Sequence, residues 1–83
     1  MSKDAKAIAL DFVRFFCEQI CEHVSDITLN SEDDEKGTLI QITVNESDMG
    51  RLIGKDGQTI SALRLLVRNI GSRENAKIAL KVL

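Results

Sequence analysis

Met49-Gly50-Arg51-Leu52-Ile53-Gly54-Lys55-Asp56-Gly57-Gln58-Thr59-Ile60 sets two glycines three apart between two apolar runs. Asn45-Glu46-Ser47-Asp48 before it reads as a helix start, with Ser47 as the cap and Asp48 as a first-turn acid. Gly54 and Gly57 must stop that helix within two turns, because glycine favours positive φ and breaks a regular helix. A second helix opens at Gly57 or Gln58. Its buried stripe is Ile60, Leu63, Val67 and Ile70, with Leu66 adjacent, and Gly71 stands as its terminal glycine. Two short helices thus meet at a glycine link. The N–H groups and positive pole of the second helix face outward there, which suits an anion such as phosphate. Lys55 adds charge at the same point. Arg51, one turn earlier, and Arg64, in the next turns, are placed to add more.

Upstream of this segment the pattern changes period. Thr38 to Asn45 alternates, with Ile40, Ile42 and Val44 on one side. Residues 26–30 alternate too, with Ile27 and Leu29 inward. The polar, Gly-ended stretch 31–37 reads as the loop of a hairpin, and its acids Glu32 to Glu35 as a solvated run. Downstream, Ile78, Leu80 and Val82 point one way and Lys77, Ala79 and Lys81 the other, which is a strand with one wet face. From Asp4 to His23 a series at helical spacing (Ala5, Ile8, Phe12, Phe15, Phe16, Gln19, Ile20), with Leu10, Val13, Cys17, Cys21 and Val24 widening its apolar face, reads as an amphipathic helix of four to five turns. His23 reads as a surface or capping residue at its end. The order is α-β-β-α-α-β. The expected fold is α+β, a three-stranded mixed sheet with three helices packed on one face.

The chain has 83 residues, which implies one domain over residues 1–83 with a small core. Its net charge of −2 conceals two unlike halves. Residues 1–37 hold four Lys/Arg against nine Asp/Glu, net −5; residues 38–83 hold seven against four, net +3. A polyanionic partner would meet the second half. No run is long and apolar enough for a membrane span, and Met1-Ser2-Lys3-Asp4 leads into a charged stretch rather than a secretory signal, so a cytoplasmic address is expected. Cys17 and Cys21, four apart, read as small buried helix residues; with His23 they lack a fourth ligand and a metal-site spacing. The single His stands outside any nucleophile–base set, and there is no P-loop, so neither an enzyme nor a cofactor nor a small-molecule substrate is expected.

The run Ile53-Gly54-Lys55-Asp56-Gly57-Gln58-Thr59-Ile60 resembles the I-G-x-x-G-x-x-I core of KH domains, whose GXXG loop clamps about four nucleotides of a single strand. The helix-first order ending in a strand is similar to the type II KH arrangement. With Asp48-Met49-Gly50 before the motif, the chain resembles the KhpA family of small bacterial single-KH RNA-binding proteins over nearly its whole length. The resemblance implies that Gly54, Lys55, Asp56 and Gly57 hold the sugar-phosphate backbone. It implies that Ile53 and Ile60 help wall an aliphatic groove for the bases. Gln58, inside the matched run and opening the helix, is counted with them; Arg51 and Arg64 are added from helix geometry. The strand around Leu39 to Thr43 is expected as the opposite wall. Asp56 puts an acid in the clamp, offset by Lys55, so weak binding with little sequence discrimination is expected. The absence of Trp and Tyr suits an aliphatic groove and argues against an RRM or OB-fold stacking platform.

Two other readings stay open. One is an interaction module, a KH fold whose main task is to pair with itself or another KH protein, with RNA contact secondary; the family resemblance implies self-association and pairing with a larger KH protein, KhpB (also called Jag or EloR). It also implies an RNA chaperone or post-transcriptional role tied to cell division and envelope growth. A helix-turn-helix DNA binder is superficially permitted by the helices at 47–53 and 58–70, although their basic residues are sparse.

Overall fold

In the computed structural model, which describes residues 4–83, a helix α1 (Ala5–Ile20) leads through a 3-10 turn (Val24–Asp26) to strands β1 (Thr28–Asp34) and β2 (Gly37–Thr43). A second 3-10 turn (Glu46–Asp48) opens α2 (Met49–Ile53). A third (Lys55–Gly57) joins α2 to α3 (Gln58–Arg73), and β3 (Ile78–Val82) closes the chain. Met1 to Lys3, which carry most of the N-terminal leader reading, lie outside the described residues. The sheet order is β1-β2-β3, with β1 antiparallel and β3 parallel to β2. This is the expected α-β-β-α-α-β arrangement, an α+β fold with a mixed sheet and its three helices on one face.

The alternating strands pack as their period demands. Ile40 and Ile42 are fully buried, Val44 follows, and Ile78 and Leu80 meet them from β3. Ile40 pairs with Leu80 and Ile42 with Val82. Leu52, Leu63 and Val67 complete the core from α2 and α3. Each such side chain contributes roughly 1.5–3 kcal/mol on burial.

Helix α1 turns a different stripe inward from the one its large residues suggest. Ala5, Ala9, Val13 and Cys17, each four apart, face the core, while Phe12, Phe16 and Ile20 pack at its margin. Ile8 and Phe15 are left outside, Phe15 at 61% exposure. Apolar residues cover most of this helix, so periodicity alone leaves its rotation open. The row of small residues lets the helix pack closely against α3, its main neighbour. Asp4 caps α1, its Oδ1 accepting from the Ala7 N–H at 2.8 Å. The helix stops at Ile20 rather than His23, because Cys21 is already extended.

Strand β1 also runs further than its pattern suggests. Glu32, Asp33 and Asp34 belong to the strand, paired with Leu39, Thr38 and Gly37. Only Glu35 and Lys36 form the turn. Asp34 Oδ1 accepts from the N–H of Lys36 (2.7 Å) and of Gly37 (3.0 Å). Asp33 accepts from Lys6 Nζ and from Thr38 Oγ1, both at 2.7 Å. These bonds compensate the poor strand propensity of the acids.

Gly71 does not end α3. It lies buried in the last turn, where a Cβ would come within 2.5 Å of the Ala76 carbonyl oxygen and 3.0 Å of Ile78 Cγ1. The chain doubles back against it, and the left-handed residue after the helix is Asn75, at φ 56°. Its role is close approach of backbone, not termination.

Candidate nucleic-acid interface

The glycine link is built from three residues at positive φ. Gly54 has φ 78° and ψ 174°, Asp56 φ 55° and ψ 26°, and Gly57 φ 75° and ψ 14°. The two glycines are needed for different reasons. A Cβ on Gly54 would run into the side chain and backbone N of Thr59, and its φ/ψ region is open to glycine almost alone. A Cβ on Gly57 would meet nothing within 4 Å; only its left-handed conformation favours glycine. Asp56 shares that conformation, which Asp and Asn tolerate better than other side chains. The acid in the loop therefore has a backbone reason to be there.

Within the link, the Gly54 N–H donates to Gly50 O (2.9 Å), Gly57 to Gly54 O (3.2 Å), and Gln58 to Lys55 O. Lys55 and Asp56 are exposed between the glycines, and Lys55 makes no ion pair with a described residue. Gln58 is exposed at the start of α3. Ile53 is 37% exposed beside the loop, while Ile60 is 6% exposed and belongs to the core. Arg51 Nη2 donates to Glu22 Oε1 at 2.7 Å, an exposed ion pair that water screens. Arg64 does not stand free: its Nε donates to the Leu80 carbonyl of β3 at 3.3 Å.

That bond locates the wall opposite α3. Strand β2, expected there, is the middle strand, with both its edges taken by β1 and β3. The free edge beside α3 is β3. Arg64 and Arg68 face this edge, Arg68 lining a cleft with Ile78 and Ala79. A recognition helix of the helix-turn-helix kind would instead hold its basic side chains out toward a major groove.

The link is anchored from behind by a residue read only as a first-turn acid. Asp48 is 1% exposed. Its Oδ1 accepts from the Glu22 N–H and its Oδ2 from the His23 N–H, both at 3.0 Å. His23 Nδ1 lies 3.3 Å from Asp48 Oδ2 and 3.3 Å from Ser47 Oγ. Both contacts fall on one ring nitrogen, so the trio lacks the through-ring geometry of a hydrolytic triad. The Glu22 amide, foremost, with the other amide and the imidazole, holds the Asp48 carboxyl below the usual carboxylate range against the opposing cost of burial. Ser47 is not the cap: Asn45 Oδ1 accepts from the Ser47 N–H at 2.8 Å. Cys17 and Cys21 are buried free thiols, and burial pushes Cys17 up to about 11. Among the described residues no cluster of ligating side chains is placed to hold a metal ion, and no helix is long and apolar enough to cross a membrane.

A hairpin and a parallel third strand, with a glycine link between the two crossover helices, define a type II KH-like fold. The KhpA/KhpB KH-domain model matches residues 10–82, and the chain belongs to that family. It is similar to the RNA-binding protein KhpA of Listeria monocytogenes serovar 1/2a, 33% identical over 77% of this chain and 84% of that protein. It is also similar to the proteins of the same name from Chlamydia muridarum (27% identical; 88% and 94% covered) and Borreliella burgdorferi (26% identical; 89% and 90% covered).

Proposed function

We propose that this chain, as one KH domain, is a non-enzymatic RNA-binding protein that clamps the backbone of about four single-stranded nucleotides at Gly54–Gly57. The observation that carries the reading is the link itself. Three positive-φ residues in four open the start of a 16-residue helix, and Lys55, in no ion pair with a described residue, stands at the same point. Phosphates would lie against Lys55, Gln58 and the helix N-terminus, and bases along Ile53 and the α3–β3 groove, with Arg64 between. Ile60 supports that wall from within. The relatives named RNA-binding protein KhpA support the ligand class. A cytoplasmic address and a chaperone or post-transcriptional role linked to cell division and envelope growth belong to the same proposal.

The test is a salt-dependent titration of short single-stranded RNA, with duplex DNA as control and circular dichroism to check folding. Lys55→Asp is the variant of choice, because it leaves both glycine conformations intact. We expect at least a tenfold loss of affinity, a parent that weakens as salt rises, and weaker binding to the duplex. Equal binding by parent and variant refutes the clamp.

A second reading is favoured by one observation. Phe15, Leu65 and Leu66 are 61%, 52% and 44% exposed, a large apolar display for so small a chain. It supports a KH adaptor that pairs with itself or with a larger KhpB-like protein. Sedimentation of the parent beside Leu66→Asp separates the two readings.

A further inference from the structure

The corner behind the glycine link holds the chain's single histidine in one chemical state. Asn45 Nδ2 donates to Asp26 Oδ2 at 2.9 Å, which fixes the amide with Oδ1 toward Ser47. That oxygen carries no proton, so the Ser47 hydroxyl donates to it, at 2.8 Å. Ser47 Oγ then has only lone pairs to offer His23 Nδ1, 3.3 Å away. The other neighbour of Nδ1, also at 3.3 Å, is Asp48 Oδ2, a carboxylate oxygen that only accepts. Nδ1 therefore carries the ring proton and shares it between two acceptors, which accounts for two equal, long contacts. In the neutral ring the lone pair is on Nε2. That nitrogen bonds to no described residue, and the side chain is 47% exposed.

Asp48 supplies what a nucleophilic imidazole needs. It is buried, and the N–H groups of Glu22 and His23 hold it as a carboxylate. As Nε2 attacks an electrophile, positive charge grows on the ring, and the carboxylate at Nδ1–H is placed to balance it. Two neighbouring acids are already engaged, Asp26 by the Asn45 amide and Glu22 by Arg51. Arg51, bound to the residue before His23, brings a guanidinium to this corner. Its pair with Glu22 is exposed and screened, so it is free to change partner. An arginine beside a nucleophile favours an electrophile that is itself an anion, above all a phosphoryl group.

We infer that His23 Nε2 is a modification site, an activated imidazole that takes a phosphoryl group from a small donor of the phosphoramidate or acyl phosphate class. The Nε2 lone pair attacks phosphorus and the P–Nε2 bond forms. The donor's P–N or P–O bond breaks, and ammonia or a carboxylate leaves with the electron pair. The Nδ1 proton stays on the ring, whose positive charge Asp48 balances. Asp48 acts here as a positioning residue. None of this chemistry depends on the glycine clamp.

The test treats the protein with phosphoramidate at about pH 8, above the ordinary imidazole range, beside N-acetylhistidine methylamide as reference. Phosphorus NMR follows the rate, and circular dichroism reports folding. With one histidine in the chain, all phosphohistidine formed belongs to His23. We expect the parent to react several-fold faster than the reference and to carry the group on Nε2. Ser47→Ala keeps that gain, and Asp48→Asn falls to the reference rate. A parent no faster than the reference overturns the site, and so does product on Nδ1. An Asp48→Asn rate equal to the parent's overturns it too, as does loss of the gain in Ser47→Ala, because the carboxylate is then not its source. A second measurement needs no variant and covers an Asp48→Asn that fails to fold. Nitrogen NMR of the neutral ring in the parent reads the tautomer: a proton on Nδ1 supports the site, and a proton on Nε2 refutes it.

Discussion

Asp48 and Asp56 stand eight residues apart at the two ends of the α2 corner, and they do opposite things. Asp48 is turned inward and is surrounded by donors: two backbone amides and an imidazole, all 25 or 26 residues upstream. Asp56 is turned outward, in a left-handed conformation, with its charge facing solvent. One ties the end of α1 to the start of α2. The other occupies a loop whose backbone shape is the functional feature. The same side chain is an anchor where N–H groups converge on it and a conformational convenience where they do not. A rigid corner behind a strained loop is how a small fold holds a glycine link open.

Removing the anchor is the most damaging way to test that contrast. Asp48→Ala leaves the Glu22 and His23 amides without their acceptor, and we expect the thermal midpoint to fall by roughly 10 °C. Calorimetry of the parent, Asp48→Ala and Asp48→Asn gives the comparison, with Asn expected in between. The pH dependence follows from the same bonds. The folded carboxyl is held below its ordinary value. Its stabilisation is therefore complete above the unfolded value near 4 and is lost as pH falls through the folded one. Asp33, lowered by its bond to Lys6, adds a weaker part of the same sign. Acid titration of stability should be flatter below pH 4 in Asp48→Asn than in the parent; equal slopes would break the assignment.

Next in size are the glycines. Gly54→Ala is expected to cost about 1–3 kcal/mol, since it meets both a forbidden backbone region and Thr59. Gly57→Ala should cost about 1–2 kcal/mol, having only the left-handed penalty. Gly57→Asn should recover part of this and Gly54→Asn none, read by chemical denaturation. Smallest is Asp56→Asn. It keeps the left-handed residue and removes the acid, so stability stays within about 0.5 kcal/mol while RNA affinity rises a few-fold. An unchanged affinity would mean that Asp56 lies away from the strand.

Where the determinants were local, the sequence was legible. Ile40, Ile42 and Val44, and then Ile78, Leu80 and Val82, obey a period of two that a helix cannot satisfy. Gly54 and Gly57 punctuate α2 and α3 by their own conformational needs. What escaped reading depends on distant partners. The inward face of α1 is chosen by its packing against α3 from an excess of apolar residues. The acids of β1 become strand because β2 pairs with them. Asp48 finds its donors in a segment that ends 25 residues earlier, so nothing nearby marks it as buried. Arg68, four residues from Arg64 on α3, comes near Lys36 and Lys77 only once β3 lies beside the helix.

The parallel pairing of β2 with β3 has a kinetic side. Strands β1 and β2 close through a two-residue turn and can zip within the local chain. Ile40 must wait for Leu80, forty positions later, with both crossover helices in between. Contacts of such high sequence separation slow folding, because loop entropy is lost before they form. The edge strand that completes the groove is thus the one whose pairing loses the most loop entropy. The surface proposed to receive a nucleic acid strand needs that pairing, so a chain with β3 undocked would carry the glycine link without its far wall.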